Sequence, residues 1–381
     1  MIFRVPGLAA GRQPHYNSGK GVIAMNKTRL SRVIANMEAQ SLEQIVVTST
    51  SSVYYLTGIH VEPMERMLAL YIHTSGRCVL YANELFAIPP QEDLELLLHT
   101  DSDDPAALLA AGVAPGRLGI DKSWPSKFLI RVLEARPDVA PVLGSAPVDE
   151  ARMIKDEAEI AAMRRASQIN DQVVEAAIAA VRAGAVESEL AAYVEGLYRQ
   201  HGADRSGEGQ LVCFGPNGAD PHHAPNGTVL RDGDSVVLDI FIPIRRYWCD
   251  MTRTVFFRSV SDEGRRVYET VKAANLAAEA VIRPGVPMKD IDRAARKLIE
   301  DAGYGPFFTH RLGHGCGLDC HEPPDNSASS PAVAEPGMVF SVEPGIYLPG
   351  KLGVRIEDLV LVTEDGCEVL NHASKELRVV D

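Results

Sequence analysis

Two aspartates flank a predicted turn in a segment rich in apolar, strand-forming residues. A turn centred between Ile244 and Arg245 would place Asp239 and Asp250 opposite each other on two antiparallel strands. Side chains that face each other in this way have Cβ atoms about 5 Å apart. Two carboxylates at that separation destabilise a sheet unless a cation binds between them, so the pattern predicts a metal site.

Two glutamates repeat this arrangement further along the chain. Glu343 and Glu357 are equidistant from Gly350, the centre of a second predicted turn, and both lie among Val, Leu and Ile residues. Four buried carboxylates without counter-charge would be very costly in free energy. Two divalent cations would balance them, and metal pairs about 3.5–4 Å apart are widely used for hydrolysis.

A segment rich in histidine and glycine lies between the two acidic pairs. It contains His310, His314, His321 and three glycines within twelve residues. Glycine allows the backbone to approach a ligand or metal closely. One neutral imidazole added to four carboxylates favours Mn²⁺, Co²⁺, Fe²⁺ or Zn²⁺ over a thiolate-bound metal. Cys316 and Cys320 are therefore interpreted as packing residues and not as zinc ligands.

A pair of helical segments occurs twice, each time before one of the acidic hairpins. Gly184 and Gly202 recur as Gly285 and Gly303, and the differences 285 − 184 and 303 − 202 both equal 101 residues. Apolar residues at helical spacing precede each copy, and strand-forming residues follow it. Equal spacing at several positions indicates an internal duplication, which would enclose a site between its two halves.

The rest of the chain is expected to form a separate domain. Residues 27–148 are predicted to be an α/β domain, with a helix near Leu30 and strands within residues 44–50, 67–73 and 77–82. Residues 149–381 would form the domain that carries the chemistry. Residues 1–26 are interpreted as an N-terminal extension, in which Met25 is a candidate start and no signal peptide is evident.

Composition excludes several classes of function. The 381 residues contain 38 Lys and Arg against 51 Asp and Glu, so the net charge, 38 − 51, is −13. Nucleic-acid binding requires a basic field, so that class of partner is not expected. The sequence lacks an apolar run of the roughly 18 residues that a membrane helix needs. Six cysteines in so long a chain point to a reducing cytoplasm, not to a disulfide scaffold.

These residues resemble the prolidase and aminopeptidase P branch, the Xaa-Pro peptidases, of the pita-bread metallopeptidases. The resemblance rests on D-M-T-R-T at residues 250–254, H-x-x-x-H-G-x-G-x-x-x-H-E at 310–322, S-V-E-P-G at 341–345 and R-x-E-D at 355–358. It is specific over about residues 149–380, and residues 27–145 resemble the creatinase-type N-terminal domain less specifically. The implied fold class is α+β, with a pita-bread domain built on a pseudo-two-fold duplication.

The resemblance implies a site with two divalent metal ions, manganese or cobalt in the first place and zinc or iron as alternatives. The implied metal ligands are Asp239, Asp250, His314, Glu343 and Glu357. Glu343 would also act as the general base for a metal-activated hydroxide that attacks the peptide carbonyl. The implied residues around the substrate are His222, His310, His321 and Arg355.

Individual roles follow from the same resemblance. His321 is expected near the scissile carbonyl, where it would stabilise the oxyanion, and His222 near the proline side of the bond. His310 would line the substrate site. Arg355 lies two residues before Glu357, so on a strand both would face the site, where Arg355 could support the metal ligands or hold a substrate carboxylate.

The substrate remains open at this point. Many prolidases carry an arginine shortly after H-E-x-P, where it can grip the carboxylate of a dipeptide, whereas this chain has Asp325 and Asn326 there. An aminopeptidase P would not need that grip. A metal-dependent hydrolase of small non-peptide amides, such as ectoine-like or creatine-like compounds, is the alternative, and a non-catalytic binding protein is a third. The resemblance also implies a homodimer that acts on small peptides.

Overall fold

A computed structural model describes residues 24–204 and 209–381, so most of the predicted N-terminal extension lies outside the described residues. The chain divides into two compact units at the boundary between Ser145 and Ala146. Within the two described ranges, none of the helices is both long and apolar enough to cross a bilayer.

The first unit contains a mixed six-stranded sheet in the order β4-β3-β2-β1-β5-β6. Strand β1 pairs antiparallel with β2 and parallel with β5, and all four of its residues are buried, as expected of a central strand. The three strands predicted first from the sequence are confirmed as β1, β2 and β3. The elements are α1 (Lys27–Ala39), β1 (Gln44–Val47), α2 (Thr50–Thr57), β2 (Ala69–His73), β3 (Cys78–Asn83), β4 (Glu95–His99), α3 (Pro105–Gly112), β5 (Gly116–Ile120), α4 (Ser126–Ala135) and β6 (Val139–Leu143).

The described part of the second unit contains a short first helix, two pairs of helices and three sheets. Its sheets have the orders β17-β9-β8-β7, β11-β10-β12-β15-β16 and β13-β14. The elements are α5 (Ala146–Met153), α6 (Glu157–Ala179), α7 (Glu187–Gln200), β7 (Leu211–Phe214), β8 (Ser235–Ile244), β9 (Tyr247–Phe257), α8 (Asp262–Val281), α9 (Met288–Asp301), β10 (Gly313–Gly315), β11 (Glu322–Asn326), β12 (Val339–Val342), β13 (Gly345–Leu348), β14 (Leu352–Arg355), β15 (Asp358–Val362), β16 (Cys367–Val369) and β17 (Val379–Val380).

The internal duplication predicted from the sequence is confirmed in this unit. Helix α9 begins and ends 101 residues after α7, since 288 − 187 and 301 − 200 both equal 101. One apolar core packs α6 and α7 against β7–β9, and a second packs α8 and α9 against β12–β15. The repeated glycines have positive φ in both copies, +77° and +78° for Gly184 and Gly202 and +86° for both Gly285 and Gly303. Glycine recurs there because other residues adopt that backbone region at a cost.

The register of the first acidic hairpin differs from the sequence prediction. Asp239 pairs with Thr252, and Asp250 pairs with Phe241, so the two aspartates are not directly opposite. The two-residue turn is Arg245-Arg246, centred one residue later than predicted, and both arginines have positive φ, 51° and 74°. Such turns usually contain Asn or Gly, so two arginines gave no sequence signal. Both aspartates still face the same side, because residues two apart alternate back to one face.

The second acidic hairpin has the predicted register. The pairs Val342–Asp358 and Gly345–Arg355 are each symmetric about residue 350. Glu343 and Glu357 lie between these pairs, where β12 gives way to β13 and β14 gives way to β15. The two glutamates therefore lie where the strand pairing is interrupted, at equivalent positions on the two arms of the hairpin.

We predict opposite effects on stability for two matched glycine substitutions. Gly196 lies inside α7 and Gly303 follows α9 with φ +86°, and an added Cβ would meet no atom within 4 Å at either position. Gly196→Ala should stabilise the fold by about 0.5–1 kcal/mol, because alanine favours a helix interior. Gly303→Ala should destabilise it by roughly 1–2 kcal/mol, because alanine disfavours positive φ.

Urea unfolding of both variants beside the unsubstituted protein measures these changes. Equal effects of the same sign would contradict the assignment of Gly303 to a position that requires a left-handed backbone.

Candidate metal centre and substrate pocket

Three of the predicted ligands form a compact buried group. Asp250 of β9, His314 of β10 and Glu357 after β14 each offer one donor atom, and these atoms lie within 4.8 Å of one another. The three side chains come from both halves of the duplicated unit. Their relative exposures are 4% for Asp250 and His314 and 2% for Glu357, so they form a floor that bulk water does not reach.

Asp239 and Glu343 complete the group of acidic side chains. Glu343 Oε1 lies 3.4 Å from His314 Nε2 and accepts a hydrogen bond from Ser341 Oγ at 3.2 Å. Asp239 lies next to the group on β8 and accepts a hydrogen bond from Arg355 at its Oδ2 atom. All five predicted ligands line one pocket. The structure thus brings together the whole set that the sequence singled out.

His314 has the protonation state that a metal ligand needs. Burial, together with the neighbouring His321, lowers the pKa of His314 to about 3, so the ring is neutral at physiological pH. The Nδ1 atom lies 3.2 Å from the carbonyl oxygen of Gly315, which can only accept, so Nδ1 carries the proton. The lone pair on Nε2 consequently points toward Asp250 and Glu343, whose oxygens lie 3.8 and 3.4 Å away.

Protein atoms alone do not balance the negative charge of the acidic side chains. Burial, with Asp239 and Glu343 close by, raises the pKa of Asp250 well above its usual range. Burial and Asp250 do the same to the pKa of Glu357, and burial raises the pKa of Glu343 to about 7. The Oδ1 atoms of Asp239 and Asp250 are buried without a hydrogen-bond partner among the described residues. Divalent cations would satisfy these oxygens, so the donor set fits such ions.

Each of the three nitrogens of the Arg355 guanidinium donates to a protein acceptor. Its guanidinium donates to Asp239 Oδ2 at 2.6 Å, to Thr252 Oγ1 at 3.0 Å and to Tyr347 Oη at 2.8 Å. The side chain is 5% exposed. Of the two roles expected from the sequence, support of the acidic ligands fits this geometry, and a grip on a substrate carboxylate does not.

Thr252 and Tyr347 are functional residues that the sequence argument missed. Thr252 Oγ1 donates to Glu357 Oε2 at 2.7 Å while it accepts from Arg355, so it fixes one ligand and its supporting cation. Thr252 follows Asp250 by two residues on a strand, and this alternation was the available signal. Tyr347 is four residues after Glu343 on β13, but its role depends on partners distant in sequence.

His310 lines the pocket wall and anchors Tyr347. Its Nδ1 atom lies 2.7 Å from the carbonyl oxygen of Arg311, so Nδ1 donates there. The Nε2 atom then accepts from Tyr347 Oη at 2.8 Å. Burial and the Arg355 charge lower the pKa of His310 to about 4, so this neutral tautomer holds at physiological pH. Both ring nitrogens are hydrogen-bonded to protein atoms, so the imidazole contributes to the shape of the pocket wall and not to hydrogen bonding with a ligand.

The rim of the pocket is formed by exposed histidines. His222 and His321 are both exposed and both line a cavity of about 450 Å³. The ring of His321 lies 4.0 Å from that of His314, edge to face, which places it directly above the buried floor. A cavity of this size matches those that hold small organic ligands.

The histidine-rich segment approaches its neighbours as closely as its glycines suggested. A Cβ atom at Gly313 would lie 2.0 Å from the carbonyl oxygen of Ser341, and one at Gly315 would lie 2.3 Å from that of Pro323. Cys316 is buried, as its interpretation as a packing residue implies. Cys320 does more than pack, because its thiol donates to Asp250 Oδ2 at 3.2 Å and its side chain lines the pocket.

Comparison with known families agrees with this geometry. Residues 161–364 match metallopeptidase family M24, and residues 29–154 match the creatinase/prolidase N-terminal domain. A relative in Staphylococcus aureus (strain USA300), described as an uncharacterized peptidase, is 35% identical over 359 residues, which cover 91% of this chain and 100% of the relative.

Several solved structures are similar over nearly the whole chain. A dipeptidase from Pyrococcus horikoshii OT3 is 33% identical, with a TM-score of 0.86, and covers 92% of this chain and 100% of its own. A prolidase from Thermococcus sibiricus is also 33% identical, with a TM-score of 0.88, over 94% of this chain and 100% of its own. An Xaa-Pro dipeptidase from Bacillus anthracis is 29% identical, with a TM-score of 0.84, over 93% and 99%.

A buried ion cluster anchors the segment that carries His321. Glu322 follows this histidine and is 4% exposed, and its carboxylate accepts from Arg152 and, at 2.9 Å, from Lys155. Arg152 also donates to Asp319 at 2.8 Å. Burial alone would raise the pKa of Glu322, but the two cations hold it below its usual value of 4.5. The cluster therefore fixes the backbone beside the pocket through charges that persist at neutral pH.

We predict that Glu322→Gln destabilises the protein by about 3–5 kcal/mol at neutral pH, because it removes the buried carboxylate that pairs with both Lys155 and Arg152 and leaves Arg152 with Asp319 alone. A carboxyl group whose pKa is lowered by folding stabilises the native state above its unfolded pKa, and this contribution is lost as the pH falls. The stability difference between Glu322→Gln and the unsubstituted protein should therefore shrink below about pH 4.5.

Urea unfolding at pH 7.5 and at pH 4 measures this difference. Glu364→Gln, an exposed substitution of the same type, should change stability little at either pH. A destabilisation by Glu322→Gln that grows with acidity would contradict the sign of the pKa shift.

Proposed function

The chain belongs to metallopeptidase family M24, and we propose that it is a dinuclear-metal hydrolase that cleaves Xaa-Pro bonds in small peptides. The observation that carries the proposal is the convergence of four carboxylates and one neutral imidazole on the floor of one pocket. Prolidases and Xaa-Pro dipeptidases among the similar structures support the choice of substrate.

The residues proposed to hold two divalent cations are Asp239, Asp250, His314, Glu343 and Glu357. When bound, such ions would supply a water molecule of lowered pKa and a Lewis-acidic contact for the carbonyl oxygen. Carboxylate-rich donor sets with one imidazole favour manganese or cobalt, with zinc and iron as further candidates. The fit of the donors rests on the unpartnered carboxylate oxygens and on the lone pair of His314.

Glu343 is the proposed general base. Its Oε1 atom accepts from Ser341 Oγ at 3.2 Å, which orients the carboxylate toward the pocket. Glu343 lines the pocket beside His314, so its carboxylate lies within reach of a water molecule held at the proposed metal site. Glu343 would take a proton from this water and then transfer it to the nitrogen of the leaving group when the peptide bond breaks.

Two exposed histidines are proposed to position the substrate. His321 lies above the floor, where an N–H donor can stabilise the negative charge that develops on the carbonyl oxygen. His222, which also lines the pocket, is assigned to the proline side of the bond. Proline contributes no amide N–H, so a pocket that cleaves before proline must not depend on a hydrogen bond from that group.

The proposal includes a homodimer that acts in the cytoplasm. All six cysteines are free thiols, which supports a reducing compartment. No partner beyond peptide substrates and a second copy of the chain is proposed.

We predict that hydrolysis of Ala-Pro and Ala-Pro-Ala requires a divalent metal. Removal of metal by a chelator should abolish activity, because the acidic group would lack the ions that activate water, and Mn²⁺ or Co²⁺ should restore it. Peptide hydrolysis followed by chromatography and metal content by mass spectrometry provide the measurements. Metal-restored hydrolysis of cyclic or guanidino amides, with no turnover of Xaa-Pro peptides, would instead support the non-peptide alternative.

We predict that Glu357→Gln and Glu343→Gln, which both alter proposed metal ligands, impair hydrolysis for different main reasons. Glu357→Gln should lower the bound metal content, since it removes the charge of a carboxylate in the compact group. Glu343→Gln should lower kcat by about 10²-fold or more, because it removes the proposed base. Glu364→Gln, on the exposed surface, serves as the control and should leave both quantities unchanged. Full turnover by Glu343→Gln with unchanged metal content would refute the assignment.

A further inference from the structure

We propose that Arg311 forms a carboxylate-binding subsite in this pocket and selects peptides whose free C-terminal carboxylate belongs to the residue after the scissile bond. The inference rests on the proposed function, and it narrows the substrate to dipeptides. It also assigns a role to a residue that the sequence argument did not single out.

Arg311 and Arg355 are the two Lys or Arg side chains among the described residues that line the pocket. Arg355 is buried and donates to Asp239, Thr252 and Tyr347, so its guanidinium is committed to the protein. The Arg311 side chain is 42% exposed, so a ligand in the cavity can reach it. Of the two cations, Arg311 is the one available to a substrate.

The backbone that carries Arg311 is fixed by helix α9 on both sides. Arg296 donates to the carbonyl oxygen of His310 at 2.9 Å, and the amide of Leu312 donates to Asp292 Oδ1 at 3.2 Å. Arg296 and Asp292 are themselves joined by two hydrogen bonds of 2.8 Å. Arg311 therefore projects from a fixed point of the wall and not from a loop whose position varies.

Asp325 orients the guanidinium of Arg311 and does not saturate it. The Nη1 atom of Arg311 donates to Asp325 Oδ1 at 2.6 Å, and Ser327 Oγ donates to the other oxygen of Asp325. A guanidinium carries five N–H donors in a rigid fork, so one carboxylate bound at Nη1 leaves an edge that can bind a second carboxylate with two hydrogen bonds. Asp325 thus occupies the position at which many prolidases carry an arginine, and it holds an arginine from another segment.

The geometry of a dipeptide brings its carboxylate to this pocket. In Xaa-Pro the carboxylate carbon is two bonds from the scissile nitrogen, about 2.5 Å away, so it enters the cavity with the reacting bond. In a longer peptide a neutral amide occupies the same place. The proposed metal ions would balance the four carboxylates of the floor, so the cationic side chain on the wall is the group that can pair with a substrate carboxylate.

The first test compares substrates that differ only in charge. With Mn²⁺ bound, kcat/KM should be at least about tenfold higher for Ala-Pro than for its amide, Ala-Pro-NH₂, because a charge-assisted bidentate contact is lost in the amide. Arg311→Met should reduce this ratio to near one, mainly through KM, and Arg311→Lys should give an intermediate ratio, because lysine lacks the planar fork.

Arg164→Met is the matched control. Arg164 is 47% exposed and pairs with Glu368 on the surface of the same unit, much as Arg311 pairs with Asp325, but it does not line the pocket. This variant should retain the full preference for Ala-Pro. An unchanged ratio in Arg311→Met, or no preference in the unsubstituted enzyme, would overturn the subsite.

Binding of products separates this inference from the proposed function. Isothermal titration of the Mn²⁺-loaded protein with L-proline and with L-prolinamide requires no turnover, and L-proline should bind at least about tenfold more tightly. Arg311→Met should remove that difference. If the enzyme hydrolyses Ala-Pro-Ala but binds L-proline and L-prolinamide equally, the subsite alone is refuted. If it hydrolyses no Xaa-Pro peptide, the proposed function is refuted, and the titration still tests the role of Arg311.

Discussion

The mutual repulsion of four carboxylates in a buried floor is the constraint on which the catalytic unit depends. Asp239, Asp250, Glu343 and Glu357 come from both halves of a duplicated unit, so neither half builds the site alone. The halves are joined at the same place, since Thr252 donates to Glu357 and Arg253 donates to the carbonyl oxygen of Glu357 at 2.7 Å. Hydrogen bonds between the halves therefore hold together side chains whose charges would separate them. The arrangement is stable as a rigid frame because β8 and β9 are buried almost throughout and cannot shift without exposing their apolar residues.

The frame leaves some of the repulsion unrelieved by protein atoms. Arg355 compensates Asp239 directly, and Thr252, Ser341 and Cys320 each donate one hydrogen bond to a carboxylate. The Oδ1 atoms of both aspartates remain without partners in the described part of the chain, and the pKa of Asp250 and that of Glu357 are raised by burial. Complete neutralisation by arginine or lysine would have filled the space in which a substrate must bind. A site that is under-compensated and preorganised has a high affinity for small, highly charged cations, which is the property that metal-assisted hydrolysis requires.

Periodicity in the sequence predicts most of this frame, and local turn chemistry accounts for the main error. The apolar spacing around Gly184 and Gly285 predicts the duplicated helices correctly, because each helix has its own local pattern and the offset of 101 residues compares two such patterns. The predicted turn centre was wrong by one residue, and the predicted partner of Asp239 by two, because Arg245 and Arg246 adopt left-handed conformations that their residue types do not indicate. The contacts of Tyr347 with His310 and Arg355 could not be predicted, since they join positions whose proximity depends on the finished fold.

The two arginines of the pocket show how environment divides one residue type between structure and recognition. Arg355 is surrounded by acceptors on the buried floor. Its charge therefore holds the proposed metal ligands in place and contributes little to substrate binding. Arg311 lines the pocket and is 42% exposed, and Asp325 binds it at Nη1, so other N–H groups of its guanidinium can bind a ligand. Exchange of these roles would fail on physical grounds. A flexible or exposed group beside Asp239 would leave this buried carboxylate without a cationic partner. A guanidinium at the rim whose N–H groups were all bound to the protein could not bind a ligand. Specificity can therefore vary at the rim among related chains, since changes there leave the electrostatic balance of the floor intact.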